Sequence, residues 1–315
     1  MNYSHSAHLH ATGYPELDIL TVEHNDFLLD RDHEAEVRAA MLDYWLERVP
    51  KTTEISLMWL ADSRWLSAME HAALAGLLRK QSIHRSYAIH LDEVREAKLD
   101  YLNLIGPNCR RHIRRAFREY RMIGEVVVEV ASSVEQGLDW FARLGELHQA
   151  RWLARGHPGS FSNEFFTRFH RALIERNLDQ GGIQLLRIRT GKHPIGYIYS
   201  FVRQGRVFVY QTGMDYGLPG KNARPGLVSH VMAVRYNAAA GHEVYDLMAG
   251  DSRYKCELST LDEWMTCMTL RTASWRFELE ETMPRVVSVL HPVRRVLHGI
   301  KAAGCSLMGF IEASQ

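Results

Sequence analysis

Apolar and polar positions alternate along this chain in two rhythms. A period of two marks strands and a period near 3.6 marks helices. The second half is the clearer. Glu125–Val130 reads as a short strand, and Val134–Leu153 follows with helical spacing at Trp140, Leu144 and Leu147. After the loop Gly156-His157-Pro158-Gly159, a helix is predicted over Asn163–Leu178 with Phe166, Phe169 and Leu173 on one face. Three strands separated by turn residues come next, Ile183–Arg189, Ile195–Val202 and Arg206–Asp215, which predicts a meander. A Gly/Pro-rich loop then leads to a helix starting at Pro225, striped by Leu227, Val231, Val234 and Ala238 and ended by Gly241. Glu243–Met248 reads as a strand running into Ala249-Gly250-Asp251, and Trp264–Thr272 as a closing strand. Strand, helix and strand in succession imply a parallel pair joined by a right-handed crossover.

The first half repeats part of that order. Leu17–Glu23 reads as a strand, Glu34–Arg48 as a helix and Glu54–Leu60 as a strand followed by Asp62-Ser63-Arg64-Trp65. A shift of 189 carries that tetrapeptide onto Asp251-Ser252-Arg253-Tyr254 and Asp26 onto Asp215. Either the chain contains an internal duplication or two similar strand-helix-strand units coincide. Duplication predicts a truncated unit over 1–107, completed by a helix Ser67–Gln81 and a strand Tyr87–Leu91. An Arg-rich bridging helix would occupy 108–124, a complete unit 125–275 and a C-terminal helical extension 276–315. That extension, interrupted by Pro284 and Pro292, packs on the sheet or touches a membrane surface.

Composition narrows the partners. The 315 residues are 46% hydrophobic and 24% charged, as in an ordinary globular protein, and 38 Lys+Arg against 37 Asp+Glu leave no global field toward nucleic acid or anionic lipid. No run approaches the ~20 apolar residues of a membrane span, and the first residues lack a secretory core, so a cytoplasmic protein is expected. Cys109, Cys256, Cys267 and Cys305 are too far apart for a zinc pattern and read as reduced thiols; no metal is expected. Charge is concentrated locally in CRRHIRRAFREYR. There Ile113, Ala116, Phe117 and Tyr120 share one helical face, and Arg111, Arg114, Arg115 and Arg118 share the opposite one. That face is either simply solvated or a cradle for an acidic or phosphorylated ligand.

Ligands of a parallel pair bind beyond the carboxyl ends of the strands, where the crossover helix also begins. Asp215, Asp251 and the amides of Gly220–Gly226 converge there, with Lys221 and Arg224 adding charge. Such a loop suits a pyrophosphate, though an ordinary connection has the same composition. Asp251, Tyr254 and Lys255 follow the second strand, the lysine either ion-paired or placed beside a general base. His148, Arg151 and Trp152 lie at the end of the first long helix, close before the Gly156 loop.

The order β-α-α-β-β-β-α-β resembles the GNAT acyltransferase fold. The runs CRRHIRRAFREYRMIG, LHQARWLARGHPGSF, PIGYIYSFVRQGRVFVYQTGMD and RPGLVSHVMAVRYNAAAGHEVYDLMAGDSRYK resemble the acetyltransferase-like proteins of bacterial cellulose and exopolysaccharide biosynthesis. These are similar in turn to Fem-type aminoacyltransferases, which carry two GNAT-like domains. The resemblance implies an α/β (α+β) fold of tandem GNAT units. It also implies acyl transfer from acyl-CoA, acetyl-CoA included, to an amine or hydroxyl of a sugar, amino-sugar or amino-acid acceptor, a small molecule or glycan precursor, without nucleic acid unless the donor is charged tRNA. On that mapping Tyr210, Gln211, Thr212, Gly220, Lys221, Arg224 and Gly226 hold the donor. Asp251, with Tyr254 and Lys255, is catalytic, and Arg151, His148, Trp152, Asp215, Arg111 and Arg114 face the acceptor. The loop lacks the Q/R-x-x-G-x-G/A run usual in acyl-CoA-binding members. A non-catalytic partner of polysaccharide assembly is the reading from a different class.

Overall fold

In a computed structural model, residues 5–49, 53–61, 65, 77–217, 220, 222–250 and 252–272 are described. Among the described residues nine strands form one sheet: β1 His5–Leu9, β2 Thr53–Ala61, β3 Leu77–His90, β4 Val126–Val130, β5 Ile183–Thr190, β6 His193–Arg203, β7 Arg206–Met214, β8 Val244–Ala249 and β9 Leu261–Thr272, in the order β1-β2-β9-β3-β8-β7-β6-β5-β4. β1 runs parallel to β2 and β7 parallel to β8, and the other neighbours are antiparallel. The α-helices of the described residues are α1 Pro15–Asp18, α2 Glu34–Arg48, α3 Leu91–Glu96, α4 Pro107–Ile123, α5 Val134–Leu153, α6 Glu164–Asn177, α7 Pro225–Ala239 and α8 Arg253–Leu258. Among the described residues, no helix is long and apolar enough to cross a membrane.

The meander and its helices form where the periodicity places them, and local capping explains their ends. Ser133 accepts from the Gln136 amide at the start of α5, while the Gln136 side chain accepts from the Ser132 amide. Asn163 caps α6 through the Phe166 amide. α7 begins with Pro225 and ends in a left-handed Gly241 (φ +85°), whose neighbour His242 donates back to the Asn237 carbonyl.

The first half departs from expectation in three places. Leu17–Glu23 is not a strand: Pro15 opens the single-turn α1, the Asp18 carboxylate ties back the Thr12 and Gly13 amides, and Thr21 is left-handed. The parallel neighbour of β2 is instead β1. Leu77–Gln81, expected as the end of a helix, belongs to β3, because continuous pairing with β9 from Leu77 to Ala88 overrides its weak helical pattern. Leu91, expected in a strand, opens α3. The shift of 189 carries α2 onto α7 and β2 onto β8 to within two residues, yet it would start a counterpart of β7 at residue 17, where α1 lies. β9 pairs with β2 and β3, so the sheet interleaves the two expected units. Asp62, Ser63 and Arg64, the rest of the expected helix and the C-terminal extension lie outside the described residues.

Two apolar layers flank the parallel pair β7 and β8. On one face α7 and α4 cover Val207, Val209, Tyr245 and Leu247, with Ile113, Ala116, Phe117 and Tyr120 of α4 buried there. On the other, α5 and α6 bury Trp140, Phe141, Leu144 and Phe166 against Tyr197 and Tyr199. α5 crosses β7 where Gly213 has no side chain. A Cβ there would lie 2.4 Å from the Leu144 carbonyl oxygen and 2.8 Å from its Cα. Gly213→Ala is therefore expected to cost about 1–3 kcal/mol in urea denaturation, since helix backbone cannot yield as a flexible side chain would; a cost under about 0.5 kcal/mol would show that α5 shifts freely.

Candidate functional site

Parallel β7 and β8 are paired only at Arg206↔Val244, Val207↔Tyr245 and Phe208↔Asp246. Beyond that level β7 stays with β6 as far as Met214 and β8 stays with β3 as far as Ala249, so the two strands part. A bulge in each explains the parting. The register Tyr199↔Gln211 followed by Ser200↔Val209 leaves Tyr210 as an extra residue in β7. Tyr87↔Met248 followed by Ala88↔Asp246 leaves Leu247 as an extra residue in β8. Bulges bend the strand that carries them, and here they stand at one level on either side of the fork. Met248, left-handed at φ +65°, is held by the hydrogen bond its backbone N–H donates to Asp246 Oδ1 at 2.6 Å.

Asp246 is the fully buried hub of the fork. Its Oδ2 accepts from Arg206 Nε at 2.8 Å and lies 3.0 Å from His24 Nε2, and Arg206 reaches on to Glu263. Burial pushes the Asp246 carboxyl up, but the His24 hydrogen bond and the Arg206 guanidinium outweigh it and hold it below the usual range. His24, Asp246 and Glu263 come within 4.8 Å of one another, as metal ligands would. The Arg206 guanidinium already binds both carboxylates, so the cluster is an ion-pair network around a protein cation.

The fork opens on the α6 side into a cavity of about 300 Å³, bordered by Phe208 and Tyr210 of β7, Met248 of β8, and Phe169 and His170 of α6. Residues 20–24 close its remaining side. The Ala249 amide donates to Glu23 Oε2 at 2.9 Å, and the Tyr210 hydroxyl donates to the Leu20 carbonyl. Lys255 of α8 turns into the end of β8, donating to the Ala249 carbonyl at 2.6 Å and the Met248 carbonyl at 3.3 Å; burial lowers its pKa, with Glu23 and Asp246 opposing. Burial raises the Glu23 pKa.

The predicted site residues fall into three groups. Tyr210, Gln211 and Thr212 line the free edge of β7, with Lys255 and Tyr254 beyond β8. Tyr254 stacks on His230 of α7 at 5.4 Å, and burial pushes its phenol up to about 12. At the tip of β7, Asp215 Oδ1 accepts from the Gly217 amide at 2.7 Å, and Arg151 lies 4.4 Å over the Tyr216 ring. His148 is buried and Trp152 half exposed on the same stretch of α5, their rings 5.7 Å apart. The loop before α7 carries Gly220 and Arg224, Gly226 lies in the first turn of the helix, and α7 begins with no side-chain cap. There the Glu119 carboxylate of α4 accepts from the Asn222 amide and side chain, at 3.1 and 2.8 Å. Arg111 and Arg114 stand on the exposed face of α4, apart from the fork cavity. Lys221 and Asp251 lie outside the described residues. Glu23, His24, Asp246, Arg206 and His170 were not singled out from sequence. For Asp246 there was a signal: it is the one charged residue inside the apolar run VYDLMA.

Residues 107–256, just under half of the chain, match the acetyltransferase (GNAT) domain family. Among solved structures, FemX is similar at 11% identity and TM-score 0.52, over 78% of this chain and 81% of that one. L-PGS from Bacillus licheniformis is similar at 9% identity and TM-score 0.47, over 83% of this chain and 80% of that one. A conserved protein of unknown function from Bacteroides thetaiotaomicron aligns at 11% identity and TM-score 0.49, over 76% and 75%. No sequence among the curated proteins matches. Identities this low speak to fold alone. The chain has the GNAT fold, and the stretch that builds the fork, residues 107–256, matches a GNAT acetyltransferase domain.

Proposed function

We propose that the protein transfers an acyl group from an acyl-CoA thioester, acetyl-CoA being the simplest, to an amine or hydroxyl of a small-molecule or glycan-precursor acceptor. The observation that carries this reading is the end of β7–β8 pairing at Phe208↔Asp246, with a bulge in each strand. Strand edges left unpaired in this way offer backbone N–H and C=O groups to an amide-rich pantetheine arm, as a sheet edge receives an extended peptide. An amide aimed at the thioester carbonyl then stabilises the oxyanion that forms on it, an effect of a few kcal/mol. The uncapped start of α7 with Gly220, Arg224 and Gly226 suits the diphosphate. A role in exopolysaccharide or cell-envelope metabolism follows from the sequence resemblance alone.

A second reading, a Fem-like transferase using aminoacyl-tRNA, is favoured by Glu119. Its carboxylate occupies the Asn222 amide, one of the loop donors a diphosphate would use. The measurement that separates the two is donor binding followed by melting temperature, since a ligand that binds only the folded state stabilises it by RT ln(1 + [L]/Kd). Stabilisation by acyl-CoA supports the thioester; stabilisation by charged tRNA alone supports the second reading. For the thioester, Glu119→Gln is expected to tighten acyl-CoA binding roughly tenfold, because an anion no longer stands against the loop. Unchanged or weaker binding in the variant would argue against a diphosphate on this loop.

A further inference from the structure

We propose that the fork cavity on the α6 side is the acceptor site, that its ligand is a primary amine with an apolar body, and that Glu23 is the catalytic base that takes the amine's proton. The inference rests on the acyltransferase reading and names the acceptor class within it.

The walls set the body of the ligand. Leu20, Val22, Phe169, Phe201, Phe208 and Met248 bound the cavity, and its ~300 Å³ holds on the order of ten water-sized groups. A polyhydroxylated sugar entering such walls would leave most of its hydroxyls unpaired, a loss for each. An aromatic or aliphatic chain gains from the same burial.

The polar groups set its head. His24 Nε2 is engaged by Asp246, and the Tyr210 hydroxyl by the Leu20 carbonyl. Glu23 spends Oε2 on the Ala249 amide, and no hydrogen bond to its Oε1 is present among the described residues. His170 is 1% exposed and gives Nδ1 to the Tyr199 hydroxyl, leaving Nε2 without a partner among the described residues. The cavity therefore offers the Glu23 carboxylate oxygen and the His170 imidazole nitrogen, with the Thr21 hydroxyl also on its lining, a set that suits an ammonium and the amine left by its deprotonation. Glu23 also stands at the right place, since Ala249 lies on β8 beyond the last residue paired to β7. The groups facing it are Lys255 from α8, Asp246 of β8 with its partner Arg206 of β7, His24 on its own segment, Cys267 of β9, and His170 and Tyr210 across the cavity. Burial and Asp246 raise its pKa against the Ala249 amide and Lys255, which shifts a carboxylate toward the range of a useful base.

In the step, Glu23 accepts a proton from the ammonium. The freed lone pair forms the C–N bond to the thioester carbonyl carbon, the C–S bond breaks, and the second proton leaving nitrogen goes to the departing sulfur as a thiol.

The test is steady-state transfer from acetyl-CoA to phenethylamine, hexylamine and glucosamine, with donor binding measured separately. The two apolar amines are expected to exceed glucosamine in kcat/KM by roughly a hundredfold. Glu23→Gln is expected to lower kcat/KM by about 10²–10³-fold, with donor affinity unchanged and the acid limb of the pH profile flattened. Glu23→Asp, which keeps the carboxylate, is expected to recover part of the rate and the limb; a purely structural role for the segment would move neither. Glucosamine preferred to both amines, a Glu23→Gln variant at full rate while Asp251→Asn loses it, or donor binding without transfer to any of the three would overturn the inference and leave the donor slot standing. Failure to bind any thioester would overturn both.

Discussion

Asp246→Ala is expected to lower the stability of the protein by about 3–5 kcal/mol and to weaken donor binding with it. The carboxylate is fully buried and serves three partners: the Arg206 guanidinium, the His24 ring and the Met248 amide. Removing one side of a buried ion pair leaves the other charge desolvated without compensation, and that loss dominates. Arg206 keeps Glu263, so the expected loss sits nearer the low end of that range. Met248 keeps its place opposite Tyr87 and the Lys255 bond to its carbonyl but loses the bond that holds its amide, so the bulge that opens the fork should relax toward ordinary pairing. Asp246→Asn, which can still accept from Met248, is expected to fall between wild type and alanine in urea denaturation. A double variant, Asp246→Leu with Arg206→Met, should recover part of the loss, because apolar residues of similar volume replace a buried pair at little cost. A single-variant loss below about 1 kcal/mol would show that water reaches the hub and that the fork does not depend on it.

The C-terminal half of the fold was legible because its elements obey local rules. Ser133, Asn163, Pro225 and Gly241 stand where helix ends need them, and the meander is punctuated by Gly191 and Gly205. The free edge at Tyr210–Thr212 could be placed from the strand order and the resemblance. The bulges that create it could not, since a bulge is a property of a pairing and neither sequence alone marks it. Leu17–Glu23 misled for a related reason. Its apolar residues do face an apolar surface, but it is the fork cavity rather than a sheet, and Asp18 and Pro15 decide the backbone. Glu23 was therefore invisible as a site residue: its partner Ala249 is 226 residues away. β3 was missed where pairing with β9, almost two hundred residues later, settled a segment whose own pattern was ambiguous.

Between pH 6.5 and pH 4 the protein is expected to lose stability steeply, and two buried histidines on opposite faces of the sheet carry most of it, with His148 and His242 lowered by burial in the same direction. Burial lowers the pKa of His170 to about 4, and burial with the nearby Lys255 lowers that of His230 to about 4. Both rings are neutral in the fold, whereas an unfolded histidine protonates near 6.5. As pH falls through 6.5 the unfolded chain binds protons that the folded chain refuses, so stability falls until the folded rings titrate. A tenfold difference in proton affinity between the two states is worth about 1.4 kcal/mol, so each ring contributes on the order of 3 kcal/mol across the window. His170→Phe should remove its share of that slope, since the ring already packs among Phe166, Phe201 and Tyr210, at the cost of the Tyr199 hydroxyl bond. Urea midpoints from pH 7 to pH 4 that run parallel in wild type and variant would refute the assignment. Glu23, raised by burial, takes up its proton at higher pH in the fold than in the unfolded chain and so opposes this descent, while Asp246 and Glu129 give a separate window. Burial raises both Asp246 and Glu129, but the His24 hydrogen bond and Arg206 for the first, and Arg189 and Arg187 for the second, hold them below their ordinary values. Their contribution is complete above the unfolded carboxylate range, near 4, and is lost only below it. A descent that begins above pH 5 therefore belongs to the histidines, and His170→Phe should delay it without moving the acid end.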